Sequence, residues 1–301
     1  MSFDFVSVPG GTPPPSAGSR AVEAARLIEA LTVELACEKI DLPSFPEVAA
    51  RARKALANEF VEIEDVVRII SAEPALAARL LQLANSAALN SSGRRIADLR
   101  QALSRIGFNM ARSATIAFAM SQLRRAEAYK GLEQPLDELW QWSAHVAAVS
   151  HVVAKRFTRV NADTALLGGV LHGIGKLYLL TRAARFPTVL ADPATYQRIV
   201  AEWHGRIAQA ILRNWEIADE VVTAVVACEN LDREHEGTTD LTDVLSVGGA
   251  LAALGPSPVA EQMLFLGIPA ARRMKLDAAA CVAALKESHD EIVSLRQALG
   301  S

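Results

Sequence analysis

Aromatic residues are scarce in this chain of 301 residues: Phe, Trp and Tyr together make up 5%. Cysteine is nearly absent. Cys37, Cys228 and Cys281 lie far apart and form no Cys-x-x-Cys pair. Neither a disulfide framework nor a thiolate zinc site is expected, which suits a reducing compartment. An excess of one charge is also missing: 31 Lys and Arg stand against 34 Asp and Glu, and a net charge of −3 demands no polyanionic partner. No uncharged apolar run reaches the roughly 18 residues that a membrane span needs. The opening MSFDFVSVPG carries Asp4 where a secretory signal would be basic. A cytoplasmic protein without a membrane segment is the expectation.

Alanine is abundant, with 54 residues in a chain that is 51% apolar. Ala is the strongest helix former, whereas sandwiches and barrels favour aromatic and β-branched residues, so the composition points to an all-α protein. The chain is too apolar for a disordered one, and its length allows one large or two modest domains.

Residues 1–19, with GGTPPPSAGS at 10–19, read as a flexible leader because Pro and Gly deny regular structure. Apolar positions then recur at helical spacing over 20–40, 46–58, 62–71, 73–86, 96–106 and 109–125. Glu62, Glu64 and Asp65 favour a helix start, and Pro74 suits a first turn. The polar stretch 126–138, with Gly131 and Pro135, marks a boundary near residue 130. Beyond it, helices are predicted over 136–158, 161–172, 175–185, 195–214, 217–230, 240–254, 258–266 and 277–299. The expected architecture is a small N-terminal helical bundle over 20–130 followed by a multi-helix domain over 131–301.

Charge is unevenly spread. Eight arginines and one acid, Asp98, fall between Arg79 and Arg125, among them Arg94, Arg95, Arg100, Arg105 and Arg112. Nine acids and one base, Arg233, fall between Glu216 and Asp243. The basic stretch suits a phosphate or an acidic partner. Its ordinary reading is a solvated face, because spacing across separate helices does not establish one patch. Nucleic acid is not expected: Phe108 and Phe118 are its only aromatics, and no DNA-reading motif is present.

Four of the six histidines, His145, His151, His172 and His204, fall within 60 residues. His145 and His151, six residues apart, do not share a helix face. His172 closes an apolar run and opens Leu171-His172-Gly173-Ile174-Gly175-Lys176, which sets a flexible cation beside an imidazole at a glycine turn. Trp140, Trp142, Trp203 and Trp215 read as packing anchors, Met110 and Met120 as core fillers, and Cys228, within VVTAVVAC, as an inert core thiol.

The string LLGGVLHGIGKLYLL at 166–180 resembles the Leu-x-His-Asp-Ile-Gly-Lys signature of the HD superfamily of metal-dependent phosphohydrolases. Together with Leu42-Pro-Ser-Phe-Pro-Glu-Val48, SAEPALAARLLQLANSAAL (71–89), QALSRIGFNMARSATIAFA (101–119) and HGRIAQAILRNWEIADEVVTAV (204–225), it is similar to the HDOD branch, the HD-related output domains. The resemblance covers about residues 41–255. It implies an HD-like helical fold and a regulatory role in bacterial signal transduction, with a protein partner in a signalling pathway. It also implies that His145 matches the first metal ligand and His172 the His of the His-Asp pair. Gly173 stands where that Asp would be, Gly248 or Gly249 where a later Asp would be, and Cys228-Glu229-Asn230 where many relatives carry further histidine.

Phosphoester hydrolysis of this kind needs anionic and imidazole ligands that fix a cation with one open position. Gly173 has no acid within five residues on either side. No catalysis, no resident metal and no other cofactor are therefore expected, with His145, His172 and His204 only residual metal ligands. His145, His172, Gly173, Lys176, His204 and Gly249 become candidates for a ligand pocket that takes a nucleotide or a phosphate. The alternative is a metal-dependent phosphohydrolase acting on a nucleotide or cyclic dinucleotide, with Glu229 or Glu202 replacing the lost carboxylate.

Overall fold

The computed structural model describes residues 17–37, 40, 47–58, 60–86, 89–90, 93–123, 129–254 and 267–300. Most of the predicted leader, the Leu42–Pro46 segment, residues 126–128 of the polar stretch, Arg124, Arg125 and the predicted 258–266 helix lie outside these residues. The fold is all-α, and no strand occurs among the described residues.

The first five helices are α1 (Ala17–Ala36), α2 (Glu47–Ala57), α3 (Ile63–Ser71), α4 (Pro74–Ala84) and α5 (Leu99–Leu123). They form for local reasons that the chain displays. Glu64 and Asp65 sit in the first turn of α3, and Pro74 begins α4. Leu76, Leu80 and Leu83 recur on one face of α4 and are fully buried. α5 is two helical segments joined at Gly107, whose φ of 74° is a conformation that L side chains resist. That break matches the predicted gap between 106 and 109. Ala17, Gly18 and Ser19 belong to α1 and not to the leader, because Arg20 and Glu23 give its first turns tertiary partners.

The second part runs through α6 (Glu133–Phe157), α7 (Ala162–Leu171), α8 (Ile174–Ala183), α9 (Pro187–Leu190) and α10 (Pro193–Asn214). It continues with α11 (Asp219–Ala227), α12 (Leu241–Ala253), α13 (Pro269–Arg273), α14 (Ala278–Glu287) and α15 (His289–Leu299). The short helices α9 and α13 escape a periodicity reading, although each opens on a proline. The predicted single helix over 277–299 breaks at buried Ser288, which lets α15 turn back across α4 and α6.

α6 is the central rod. Every residue from Val146 to Ala154 is buried, with α7, α12 and α15 packed around it. The approach is close because the facing residues are small. A Cβ added at Gly169 would collide with the Ala147 backbone, and one at Gly248 with Ser150. The apolar stretch Ala162–Ala183 is long enough by composition to cross a membrane, but 89% of its most apolar window is buried here. It is two core helices broken at His172-Gly173.

Polar ties fasten the ends. On α1, Glu34 accepts from the Tyr178 hydroxyl (2.5 Å) and pairs with Arg182 (3.0 Å), while Glu23 accepts from the Thr188 backbone and hydroxyl. Burial and the Glu34 contact push the Tyr178 phenol up to about 12. At the other end, Arg79 of α4 donates to the Ala298 carbonyl (3.3 Å) and Trp140 of α6 to that of Gly300 (3.3 Å). Because Gly169 presses on backbone, Gly169→Ala is expected to cost about 1–3 kcal/mol of stability in urea denaturation. Gly249→Ala, where an added Cβ meets nothing within 4 Å, should cost nothing and gain up to about 1 kcal/mol of helix propensity.

Candidate functional site

The α7–α8 turn, the end of α11 and the faces of α6 and α12 line a half-open cavity of about 110 Å³. Its polar lining is His172, Lys176, Glu229, Ser246 and the Cys228 thiol; Trp142, Val146 and Leu245 are among its apolar walls. Gly175 makes this convergence sterically feasible. A side chain there would strike the His204 carbonyl, so its absence lets α8 lie directly on α10. Lys176 and His204, which are 28 positions apart in sequence, then meet at one carboxylate.

That carboxylate is Glu229. Lys176 Nζ lies 2.7 Å from its Oε1, and His204 Nε2 lies 3.4 Å from its Oε2. Burial alone would raise the Glu229 pKa, but Lys176 and His204, with a smaller contribution from His172, outweigh it and hold the carboxyl below its usual range. His204 Nδ1–H donates to the Val200 carbonyl at 2.7 Å. His172 is 7% exposed, and its Nδ1–H donates to the Gly169 carbonyl at 2.6 Å. A carbonyl can only accept, so the bare lone pair of a neutral ring is on Nε2. Burial holds this imidazole below its ordinary pKa, as expected for a neutral acceptor. Burial also pushes the Cys228 thiol up to about 12, so it lines the pocket as an unreactive S–H.

The structure brings His172, Lys176, His204 and Glu229 together and places Gly249 on the cavity wall. It does not bring His145 to them. Trp142 and Val146 are the α6 residues that face the cavity, and His145 lies about 100° round the helix from Val146. His145 stacks edge-on with Trp142 at 6.4 Å, its Nδ1 is buried without a partner, and burial followed by nearby Arg296 lowers its pKa. The position facing Gly173 is Ser143: a Cβ on Gly173 would sit 2.6 Å from Ser143 Oγ. His151 is buried and donates to the Ala162 carbonyl at 3.1 Å, a packing role. Glu202 is exposed and is not among the cavity-lining residues. Trp140, Trp203 and Trp215 are buried as expected, whereas Trp142 lines the pocket.

A second cluster, which sequence reading missed, lies at the start of α12. His235 Nε2 is 3.0 Å from Asp243 Oδ2 and 3.6 Å from Asp240 Oδ2, and the three ligand atoms lie within 4.8 Å of one another. The available signal was Asp240-x-x-Asp243 at a helix start, which forms a reciprocal capping box. Two guanidinium groups already serve these carboxylates. Arg233 reaches Asp240 at 2.6 Å and Asp243 at 3.3 Å, and Arg273 reaches Asp243 at 3.2 Å. Asp243 is 1% exposed, so this neutralisation is what allows its burial.

The residues of the HD position do not fit a catalytic divalent ion. Gly173 supplies no carboxylate, no histidine of α6 lines the cavity, and among the described residues the one carboxylate lining it is bonded to a protein ammonium. Replacing a ligand by glycine and adding a fixed cation both lower affinity for a metal.

A family model of the HDOD domain matches residues 42–231. The chain belongs to the HDOD domain family. Among solved structures, the HDOD chain is similar to a Shewanella amazonensis SB2B protein provisionally described as a metal-dependent phosphohydrolase, with a TM-score of 0.75 and 24% identity over 92% of this chain and 99% of that one. It is also similar to an HDOD domain protein of unknown function from Geobacter sulfurreducens, with a TM-score of 0.61 and 18% identity over 94% and 98% of the two chains. At these identities the likeness shows the fold alone. An uncharacterised protein of Treponema pallidum (strain Nichols) is 21% identical over 210 residues, which are 65% of this chain and 39% of that protein.

The pKa directions predict how stability follows pH. Half-buried His145 and buried His151 and His172 are depressed, so below about pH 6.5 the unfolded chain takes up their protons first and stability falls. Glu229 and Asp240 are depressed as well. Their contribution is present above the unfolded carboxyl range and is lost as pH falls through the folded values. Urea midpoints should therefore drop between about pH 7 and 5 and drop again below about pH 4. Lys176→Met should move the Glu229 titration upward in carboxyl-carbon NMR and shrink the lower step.

Proposed function

We propose that this HDOD chain is a non-catalytic signal-transduction regulator whose degenerate HD site serves as a small ligand-sensing pocket on a scaffold. One observation carries the reading: Lys176 Nζ lies 2.7 Å from Glu229, so a fixed ammonium stands at the carboxylate that a rearranged phosphohydrolase site would have to give to its metal. Water at such a site lacks the Lewis acid that lowers its pKa toward 7. The cavity offers His172 Nε2 as acceptor and Lys176 as donor, which suits a nucleotide or phosphate group able to exchange with Glu229 on the ammonium. A protein partner in a signalling pathway and a cytoplasmic setting belong to the same proposal.

The expected outcome is that the purified chain hydrolyses neither a cyclic dinucleotide nor a nucleoside phosphate with Mn²⁺ or Mg²⁺ added, and retains no stoichiometric metal in elemental analysis. Turnover that disappears in His172→Ala would overturn the reading.

A second reading is favoured by the His235, Asp240 and Asp243 cluster, whose ligand atoms are close enough to hold one ion. It is a metal-dependent phosphohydrolase with a rearranged site. Arg233 and Arg273 weigh against it, since an entering cation must displace guanidinium groups from both aspartates. Stoichiometric Mn²⁺ binding in calorimetry, lost in His235→Ala and kept in His172→Ala, would establish this reading. Without metal involvement, Arg233→Ala should instead destabilise the fold by about 3 kcal/mol, because it strips a partner from a buried carboxylate.

A further inference from the structure

The fold gathers four arginines that sequence spacing alone could not place on one surface. Arg94, Arg95, Arg100 and Arg105 line an open concavity of about 690 Å³ with Gln101 and Ser104, and among the described residues no acid lines it. Arg112 lies apart, half-buried beyond the Gly107 break. Arg95 and Ile96 also line a neighbouring concavity of about 660 Å³ between α4 and α15, where Ala78, Leu81 and Ala97 supply carbon surface. The two therefore form one trough, basic at the α5 end and more apolar at the α4–α15 end.

Its divide is held rigidly. The Asn85 side chain accepts from the Ile96 N–H at 2.7 Å and donates to the Ile96 carbonyl at 2.7 Å, while Ile96 itself is buried. Both backbone groups of Ile96 are thus satisfied, and Arg95 is presented at the junction before any partner arrives. Such preorganisation lowers the entropy cost of association.

We infer that this trough docks an acidic, amphipathic peptide segment of a partner protein. A small anion would leave the apolar end uncovered. A nucleic acid would find no aromatic residue lining either concavity, on a chain whose net charge is −3. A segment with carboxylates toward Arg94, Arg95, Arg100 and Arg105 and aliphatic side chains toward Ala78, Leu81 and Ala97 complements both ends. Glu64, which pairs with Arg100 at 2.7 Å, shows the carboxylate contact that the partner would repeat. The trough does not involve Lys176 or Glu229, so its test is independent of the pocket.

The test uses the full chain and a fluorescein-labelled peptide of Glu blocks flanking a Leu pair, followed by fluorescence anisotropy. Binding should weaken steeply with salt, disappear for the peptide with Gln in place of Glu, and fall roughly 10-fold or more in Arg95→Glu/Arg100→Glu. Arg95→Gln/Arg100→Gln, the milder exposed exchange, should keep the wild-type melting profile and show an intermediate loss. Equal binding by the wild type and both variants, or no binding by the wild type, overturns the inference. Tighter binding of single-stranded DNA, displacement of the peptide by millimolar phosphate, or self-association that the double charge reversal abolishes would also overturn it, since each assigns the trough another occupant.

Discussion

Backbone-close contact between helices is the constraint on which the rest of this structure depends. Gly169 on the Ala147 backbone and Gly175 on the His204 carbonyl are places where no side chain separates two helices, and at Gly248 only the small Ser150 side chain does. Interiors pack at crystal-like density, so a position that meets backbone cannot be enlarged without moving a whole helix. The abundance of alanine follows from this as much as from helix propensity: Ala144, Ala147, Ala148 and Ala154 are all fully buried on α6. The same close approach of α8 to α10 delivers Lys176 and His204 to Glu229. Packing and pocket chemistry have a common origin here.

Electrostatics then decides what that pocket can do. A lysine 2.7 Å from a carboxylate is a satisfied pair, and the proposed sensing role rests on a ligand exchanging with that carboxylate on the ammonium. The cluster at the start of α12 follows a related logic on a larger scale. Asp243 can be buried because His235, Arg233 and Arg273 surround it, and the cluster ties the loop after α11 to α12 and α13. A buried charge network of this kind fixes geometry more surely than it adds stability.

Much was legible from the residues alone. Periodicity placed α3, α4, α6, α7, α8, α10 and α12 to within a few residues, because their apolar positions recur at helical spacing. The gap predicted between 106 and 109 coincides with the break in α5 at Gly107. Prolines could have revealed α9 and α13, but helices this short carry too few periods to stand out. Of the residues that the motifs singled out, His172, Lys176 and Gly249 line the cavity, and His204 meets Glu229 beside it. His145 could not be excluded, since which face of α6 meets the α7–α8 turn depends on helix rotation. For the same reason Trp142 read only as a packing anchor, and the gathering of Arg94, Arg95, Arg100 and Arg105 stayed invisible.

By itself the sequence determined helix content, most helix positions and membership of the HDOD family through its motif strings. These are local properties, set by side-chain type and spacing along the chain. Only the tertiary structure decided that Trp142 and Val146 line the cavity while His145 does not, that Glu229 and not Glu202 meets Lys176, that His235 joins two aspartates, and that four arginines share one trough. Each of these depends on the relative rotation and approach of separate helices, which is governed by three-dimensional packing and has no one-dimensional signature.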